Sequence, residues 1–305
     1  MNQHMNFRSS VLLLLVAGTA VPAYGDDLPD KVPAQLRDRA LSTLRNGLNT
    51  ETKWVKVHAA EALIWHGYPD DIGTMFAAEA ATADPQYRIG CLRVLAQAAM
   101  VPEDREQRVQ QIRQELANPE SVARVHAIET LAKLGFTPGE EDRLERGLAA
   151  EPPSAMTAYA RWAMANSARK TDMRSLAQLL DSSDKDIRAT AAYALRHLSM
   201  VPEDVAGRIA SVARREADES PPNAYVMGAW YVHAGEQDRA DAARALLPLA
   251  KSESKDQRYE VCATLGRAGS LSDLDLLETM LDDEQVDVRI AAAHAILRIG
   301  RRFPH

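Results

Sequence analysis

Apolar and polar positions along the chain alternate at helical spacing, and one short pattern returns every 31–36 residues. Its clearest copy runs from Asp287 through Val288-Arg289-Ile290-Ala291-Ala292-Ala293 to Gly300, and earlier copies span 55–67 and 123–135. With the basic residue as anchor, the aligned positions are Lys56, Arg88, Arg124, Thr157, Arg188, Ala224, Arg258 and Arg289. Eleven residues beyond the anchor stands Gly67, Gly135, Gly235, Gly269 or Gly300, or else the small residues Ala99, Ala168 and Ser199. A small residue there predicts a helix end and a tight turn. Between the copies lie other amphipathic stretches, such as 104–116, 172–180 and 271–281, each opening near a helix-start signal. Each repeat is therefore read as a helix pair with the anchored copy second. Met100-Val101-Pro102-Glu103-Asp104 returns as Met200-Val201-Pro202-Glu203-Asp204, which suggests a duplicated block of three repeats. The expected fold is all-α, an α-solenoid of about eight stacked helix pairs.

The recurring Val-Arg-x-x-Ala-Ala-x-Ala-Leu-x-x-Leu-Gly pattern, well met from Val288 to Gly300, resembles the HEAT-like repeat family, in particular the short type associated with phycobiliprotein lyases. The resemblance covers nearly all of residues 33–301 and implies a stacked helical fold. Functionally it implies little, since such families include scaffolds, adaptors and a few enzymes. A tetratricopeptide array has a similar period, but its Trp-Leu-Gly-Tyr first helix and Pro-ended second helix do not recur.

In the second helices, anchor positions −1, +3, +6, +7 and +10 are mostly small or apolar: Val55, Ala59, Ala62, Leu63 and His66 in repeat 1, and Val288, Ala292, Ala295, Ile296 and Ile299 in repeat 8. That spacing predicts the buried face. Positions −2, +2, +5 and +9 form a separate stripe, because steps of four, three and four return to one side of a helix. Second helices usually line the concave wall of a solenoid, so the stripe is the candidate binding surface. It carries Trp54, His58, Glu61 and Trp65, then Arg93 and Gln97, then His126, Glu129 and Lys133. Tyr159, Trp162 and Asn166 follow, then Tyr193 and His197, His233, Glu260 and Arg267, and finally His294 and Arg298. The candidate site is Trp54, His58, Glu61, Trp65, Arg93, His126, Glu129, Tyr159, Trp162, Tyr193 and His197. Aromatic faces there suit apolar side chains and sugar rings alike, and Glu61, Glu129 and Arg93 would orient polar groups.

The N-terminus changes the setting. Arg8, the apolar run Val11 to Ala20 and the small-x-small site Ala23-Tyr24-Gly25 read as a secretory signal over residues 1–25, cleaved after Gly25, with the repeat domain occupying 26–305. The run falls short of the ~18 residues a membrane span needs, so no transmembrane anchor is expected. The expected location is secreted or periplasmic. Aromatic residues make up only 5% of the chain, so small aliphatic side chains must fill the core. The net charge of −7 gives no whole-chain basic character for nucleic acid. Cys91 and Cys262, each among apolar helical residues, read as buried free thiols.

Catalytic chemistry is thin. His58-x-x-Glu61 and His126-x-x-Glu129 have the spacing of helical metal ligands, but neighbouring helices lie ~8–10 Å apart, so positions two repeats apart should sit ~20 Å from one another. Each pair alone supplies only two ligands, and no metal or other cofactor is expected. No His-Glu dipeptide of the kind found in the HEAT-like deoxyhypusine hydroxylases occurs, and neither a nucleophile elbow nor a phosphate-binding Gly loop is present. No catalytic residue is assigned. The reading is an exported scaffold or adaptor that binds a protein or peptide through its concave surface. The alternative is a polymer- or glycan-acting enzyme, or its accessory subunit, with Glu61 or Glu129 as acid or base. A structural spacer without a specific groove is the third.

Overall fold

The computed structural model of the chain describes residues 31–69, 71–166, 170–219 and 221–302; the signal reading of residues 1–25 and the small residue Ala168 lie outside them. In chain order the helices are α1 (Ala34–Thr50), α2 (Lys53–Trp65), α3 (Ile72–Ala80), α4 (Pro85–Ala98), α5 (Pro102–Ala117), α6 (Arg124–Leu134), α7 (Glu141–Ala149) and α8 (Ala155–Ala165). They continue as α9 (Lys170–Gln178), α10 (Lys185–His197), α11 (Glu203–Glu216), α12 (Ala224–His233), α13 (Glu236–Leu246), α14 (Lys255–Ala268), α15 (Leu274–Met280) and α16 (Val286–Arg302). No strand is found among the described residues. The architecture is an all-α solenoid of eight helix pairs, with odd-numbered helices outside and the anchored, even-numbered helices inside.

Most of the predicted buried face is buried: Ala59, Leu63, Val288, Ala292, Ala295, Ile296 and Ile299 are fully covered and His66 nearly so, while Val55 is only partly covered. Small residues let the inner helices approach closely. A Cβ on Gly266 of α14 would stand 3.1 Å from the Ala295 Cα of α16. Only Gly67 and Gly135 among the repeat glycines turn left-handed (φ 84° and 79°), the conformation for which glycine is the natural choice. Gly269 is instead extended, and a Cβ there would press on the Leu265 carbonyl.

The basic anchor has a structural role. Arg258 donates to the carbonyls of Ser252 and Glu253, just before its own helix, and to both oxygens of Asp283 in the next repeat. Arg188 does the same toward Ser182, Ser183 and the buried Glu216. Lys56 reaches Glu79 of α3, and Arg289 reaches the carbonyls of Asp283 and Glu284. An anchor thus satisfies carbonyls left over where an outer helix ends and ties its repeat to the next.

The solenoid closes on itself. Helix α1 packs against both α2 and α16, and α16 also touches α2. A Cβ on Gly47 of α1 would stand 2.8 Å from Ile290 Cδ1 of α16, so any larger residue at the seam must displace that side chain. Arg39 pairs with Asp282 at 2.5 Å, and Arg301 donates to the carbonyls of Trp65 and His66. The inner helices therefore form a ring around a common axis rather than an open concave wall.

Candidate functional site

Closure brings the stripe positions of eight parallel helices into a narrow, polar, aromatic lumen. Parallel order is visible at both ends: Lys53 and Asp84 pair across the starts of α2 and α4, while His233 near the end of α12 bonds the Leu195 carbonyl near the end of α10. Residues two repeats apart meet here, against the ~20 Å spacing expected from sequence. The rings of Trp54 and His126 lie 5.0 Å apart, and Tyr193 donates to Glu129 at 3.0 Å. Strong curvature points inner side chains at one axis, so lateral helix spacing stops governing their separation.

Glycines open the routes across. A Cβ on Gly90 of α4 would stand 2.9 Å from the Trp54 indole, which passes over that helix toward α6. On α12, Gly228 leaves room for Glu260, which pairs with Arg196 of α10. The lumen-facing register of this repeat runs one residue earlier than the alignment on Ala224 suggests. Tyr225 packs on Tyr193, whereas Val226 and Ala229 are fully buried. No sequence signal marked this, because α12 is apolar all round and both its faces are covered.

Charges in the middle of the lumen neutralise one another. Arg93, only 1% exposed, holds Glu61 through two bonds of 2.6 and 3.0 Å and reaches Thr130, while Gln97 adds a third donor to Glu61. Lys133 pairs with Glu129 at 2.9 Å. Burial opposes ionisation of both carboxyls, but Arg93 overcomes it at Glu61, and Lys133 with Arg93 holds Glu129 down at about 2. Neither carries a proton at neutral pH, so neither is poised as a general acid. Burial raises Glu260 to about 7 even against the Arg196 charge.

The eleven predicted positions separate by exposure. Arg93 and Trp162 are buried, and Trp65 is 38% exposed at the rim. Trp54, His58, Glu61, His126, Glu129, Tyr159, Tyr193 and His197 are half-buried among lumen partners. Trp162 stacks with His197 (4.9 Å), Tyr193 and Tyr159, and His58 sits 3.8 Å from Asp287. Among the described residues no three His, Cys, Asp or Glu side chains converge as metal ligands, and no helix is long and apolar enough to cross a membrane. Cys91 and Cys262 are buried and free.

The two mouths differ. At the helix starts Asp84, Asp186, Asp256 and Asp287 lie beside the cations Lys53, Arg124, Lys185 and Lys255, whereas at the helix ends lie Lys133, Arg267, Arg298, Arg301 and Arg302. This distribution complements the helix dipoles. The basic mouth also carries exposed apolar side chains from a motif that the sequence analysis read only as a sign of duplication: Met100 is 90% and Met200 80% exposed, and Val101 is exposed too. The repeated Met-Val-Pro-Glu-Asp motif was the signal. It follows α4 and α10, whose ends share this rim with Trp65.

A family model described as HEAT repeats matches residues 213–297. Similar solved structures include two engineered proteins and the YibA protein of Escherichia coli. The first engineered protein is 15% identical, with 85% of this chain and 96% of that one covered and a TM-score of 0.32. The second is 17% identical over 88% and 84%, at 0.33. YibA is 16% identical over 91% and 100%, at 0.36. Comparison with curated protein sequences gives no match.

Proposed function

Because the chain is a HEAT-like repeat protein, a helical scaffold of a kind suited to protein binding, we propose that it is an exported adaptor that engages a protein partner at the rim where its inner helices end. The observation that carries this reading is the exposure of Trp65, Met100, Val101 and Met200 on that one rim. Large apolar side chains exposed at or after the ends of α2, α4 and α10 support a docking role at that end of the ring, and among the described residues Val122 and Val125 at the start of α6 are the exposed large apolar residues outside it. Mid-lumen residues such as Glu61, Arg93 and Glu129 already have partners within the ring, which favours the rim end of the stripe over its length. Export is supported by Arg8, the Val11–Ala20 run and the Ala23-Tyr24-Gly25 site.

Site-specific photo-crosslinking tests the reading. Crosslinkers replacing Trp65, Met100 and Met200 should capture the same polypeptide, and one replacing Arg244 on an outer helix should not. Capture from Arg244 alone, or unrelated polypeptides from the three rim positions, would refute rim docking. N-terminal sequencing of chain recovered from an exporting host should begin at Asp26. Retention of Met1 in that fraction would refute cleavage.

A further inference from the structure

The basic mouth contains one guanidinium, that of Arg298, that helix capping does not explain, and a second, Arg267, that meets only the carbonyl of His197 at the end of α10. Arg302 donates to the carbonyls of Gly266 and Gly269, and Arg239 to those of Tyr231 and Ala268, so both neutralise helix ends. Arg298 does neither. Among the described residues it makes no hydrogen bond and no ion pair, and it lies over the Trp65 ring at 5.1 Å from the centroid. One turn of α14 places Arg267 at the matching position of the preceding repeat. It gives a single bond, 2.6 Å to the His197 carbonyl, and has no carboxylate within 4 Å among the described residues. Lys133, at the same level, is occupied by Glu129.

Half-burying cations without acids is costly unless something else supplies the negative charge. Burial, with the like charges of Arg298, Arg196 and Arg302, pulls Arg267 down to about 9; burial and Arg302 pull Arg298 down to about 10. Elsewhere the chain is acidic, with a net charge of −7. An acidic ligand is thus repelled by most of the surface and drawn to this mouth.

We propose that Arg267 and Arg298, the latter lying over the Trp65 ring, form a receptor for a carboxylate side chain of an acidic, partly apolar segment on the partner protein. Two guanidiniums offer paired N–H donors to one carboxylate, and Arg298 is already oriented by the indole face. Exposed Met100 and Met200 on the same rim give apolar side chains of that segment a place to pack, which a small phosphate ligand would leave unused. The proposal rests on the rim-docking reading, but its test needs no knowledge of the partner.

The full chain is titrated calorimetrically with an acetylated Asp-Glu-Leu-Asp-Glu peptide, its Asn-Gln-Leu-Asn-Gln counterpart and inorganic phosphate. The acidic peptide should bind, weaken as salt rises from 50 to 200 mM, and lose at least tenfold in affinity in Arg298→Gln and in Arg267→Gln. The neutral peptide should not bind. Arg298→Gln should hold or raise the melting temperature, because it removes an unpaired half-buried charge. Equal binding of both peptides, phosphate binding as tight as the acidic peptide, or acidic-peptide binding unchanged in both arginine variants would overturn the proposal. A melting temperature lowered by Arg298→Gln would assign that residue to structure and overturn it equally. Failure here with successful crosslinking from the rim would leave the docking reading standing and remove only the carboxylate receptor.

Discussion

Arg196 and Glu260 sit on helices separated in the ring by α12, yet their charged groups come within 2.6 Å, passing over that helix at Gly228. Both side chains are essentially buried. A buried pair of this kind is weak evidence of net stabilisation, and with Arg196 gone Glu260, already raised to about 7, takes up a proton and is left as a buried carboxyl without its donor. Arg196→Met should therefore cost ~1–3 kcal/mol in urea unfolding, and Arg196→Met combined with Glu260→Leu should cost less than Arg196→Met alone. Additive costs would mean that the two groups do not interact.

Gly228 is the gap through which that pair meets. A Cβ there would stand 2.5 Å from Thr264 Oγ1 and 2.9 Å from Glu260 Oε1. Gly228→Val should destabilise by ~1–3 kcal/mol through overpacking. Gly147, with open space around its Cβ position, should accept alanine with little change in melting temperature.

The anchor arginines join one repeat to the next. Arg188→Ala strands Glu216, which is 1% exposed, and should cost ~3–5 kcal/mol. Arg258→Lys should recover only part of the stability lost in Arg258→Ala, because one ammonium cannot serve Asp283 and two carbonyls together. Full rescue by lysine would show that charge alone matters.

Ring closure is separable from helix formation. Gly47→Leu drives a side chain into Ile290 at the seam between α1 and α16. The radius of gyration from small-angle scattering should rise while far-ultraviolet dichroism stays near that of the native chain. An unchanged radius with lost helicity would place the effect inside α1 instead.

The seam also sets a pH dependence. His66 Nε2 and His294 Nδ1 lie 3.2 Å apart, a bond that needs one unprotonated acceptor. Burial, with the charges of His294 and Arg301, holds His66 well below its usual range; burial, with Arg298, holds His294 at about 3. Because the folded values are depressed, their stabilising contribution is complete above the unfolded value near 6.5 and declines as pH falls below it. At pH 5 the loss should be about 2 kcal/mol for His294, with His66 adding to it in the same direction. Glu260, raised by burial, acts in the opposite direction over the same range, so the histidine contribution is read as the difference between native chain and His66→Gln/His294→Gln. A difference that does not change between pH 7.5 and 5 would refute it.

Residue spacing by itself determined the helix pairs, their number, the buried face and the stripe. These follow from local periodicity: Ala59, Leu63, Val288 and Ile296 recur at positions that one side of a helix must bury. The recurring arginine was visible too, although its carbonyl partners were not, because they lie in a loop whose path depends on packing. Curvature was beyond the sequence. Whether eight pairs form an open wall or a ring depends on small rotations at each interface, summed around the whole chain, and no local motif encodes that sum. Only the closed structure brought Trp54 to His126, Arg196 to Glu260 and His66 to His294, turned the middle of the stripe inward upon itself, and left Trp65, Met100, Met200 and the unpaired Arg298 together on one rim.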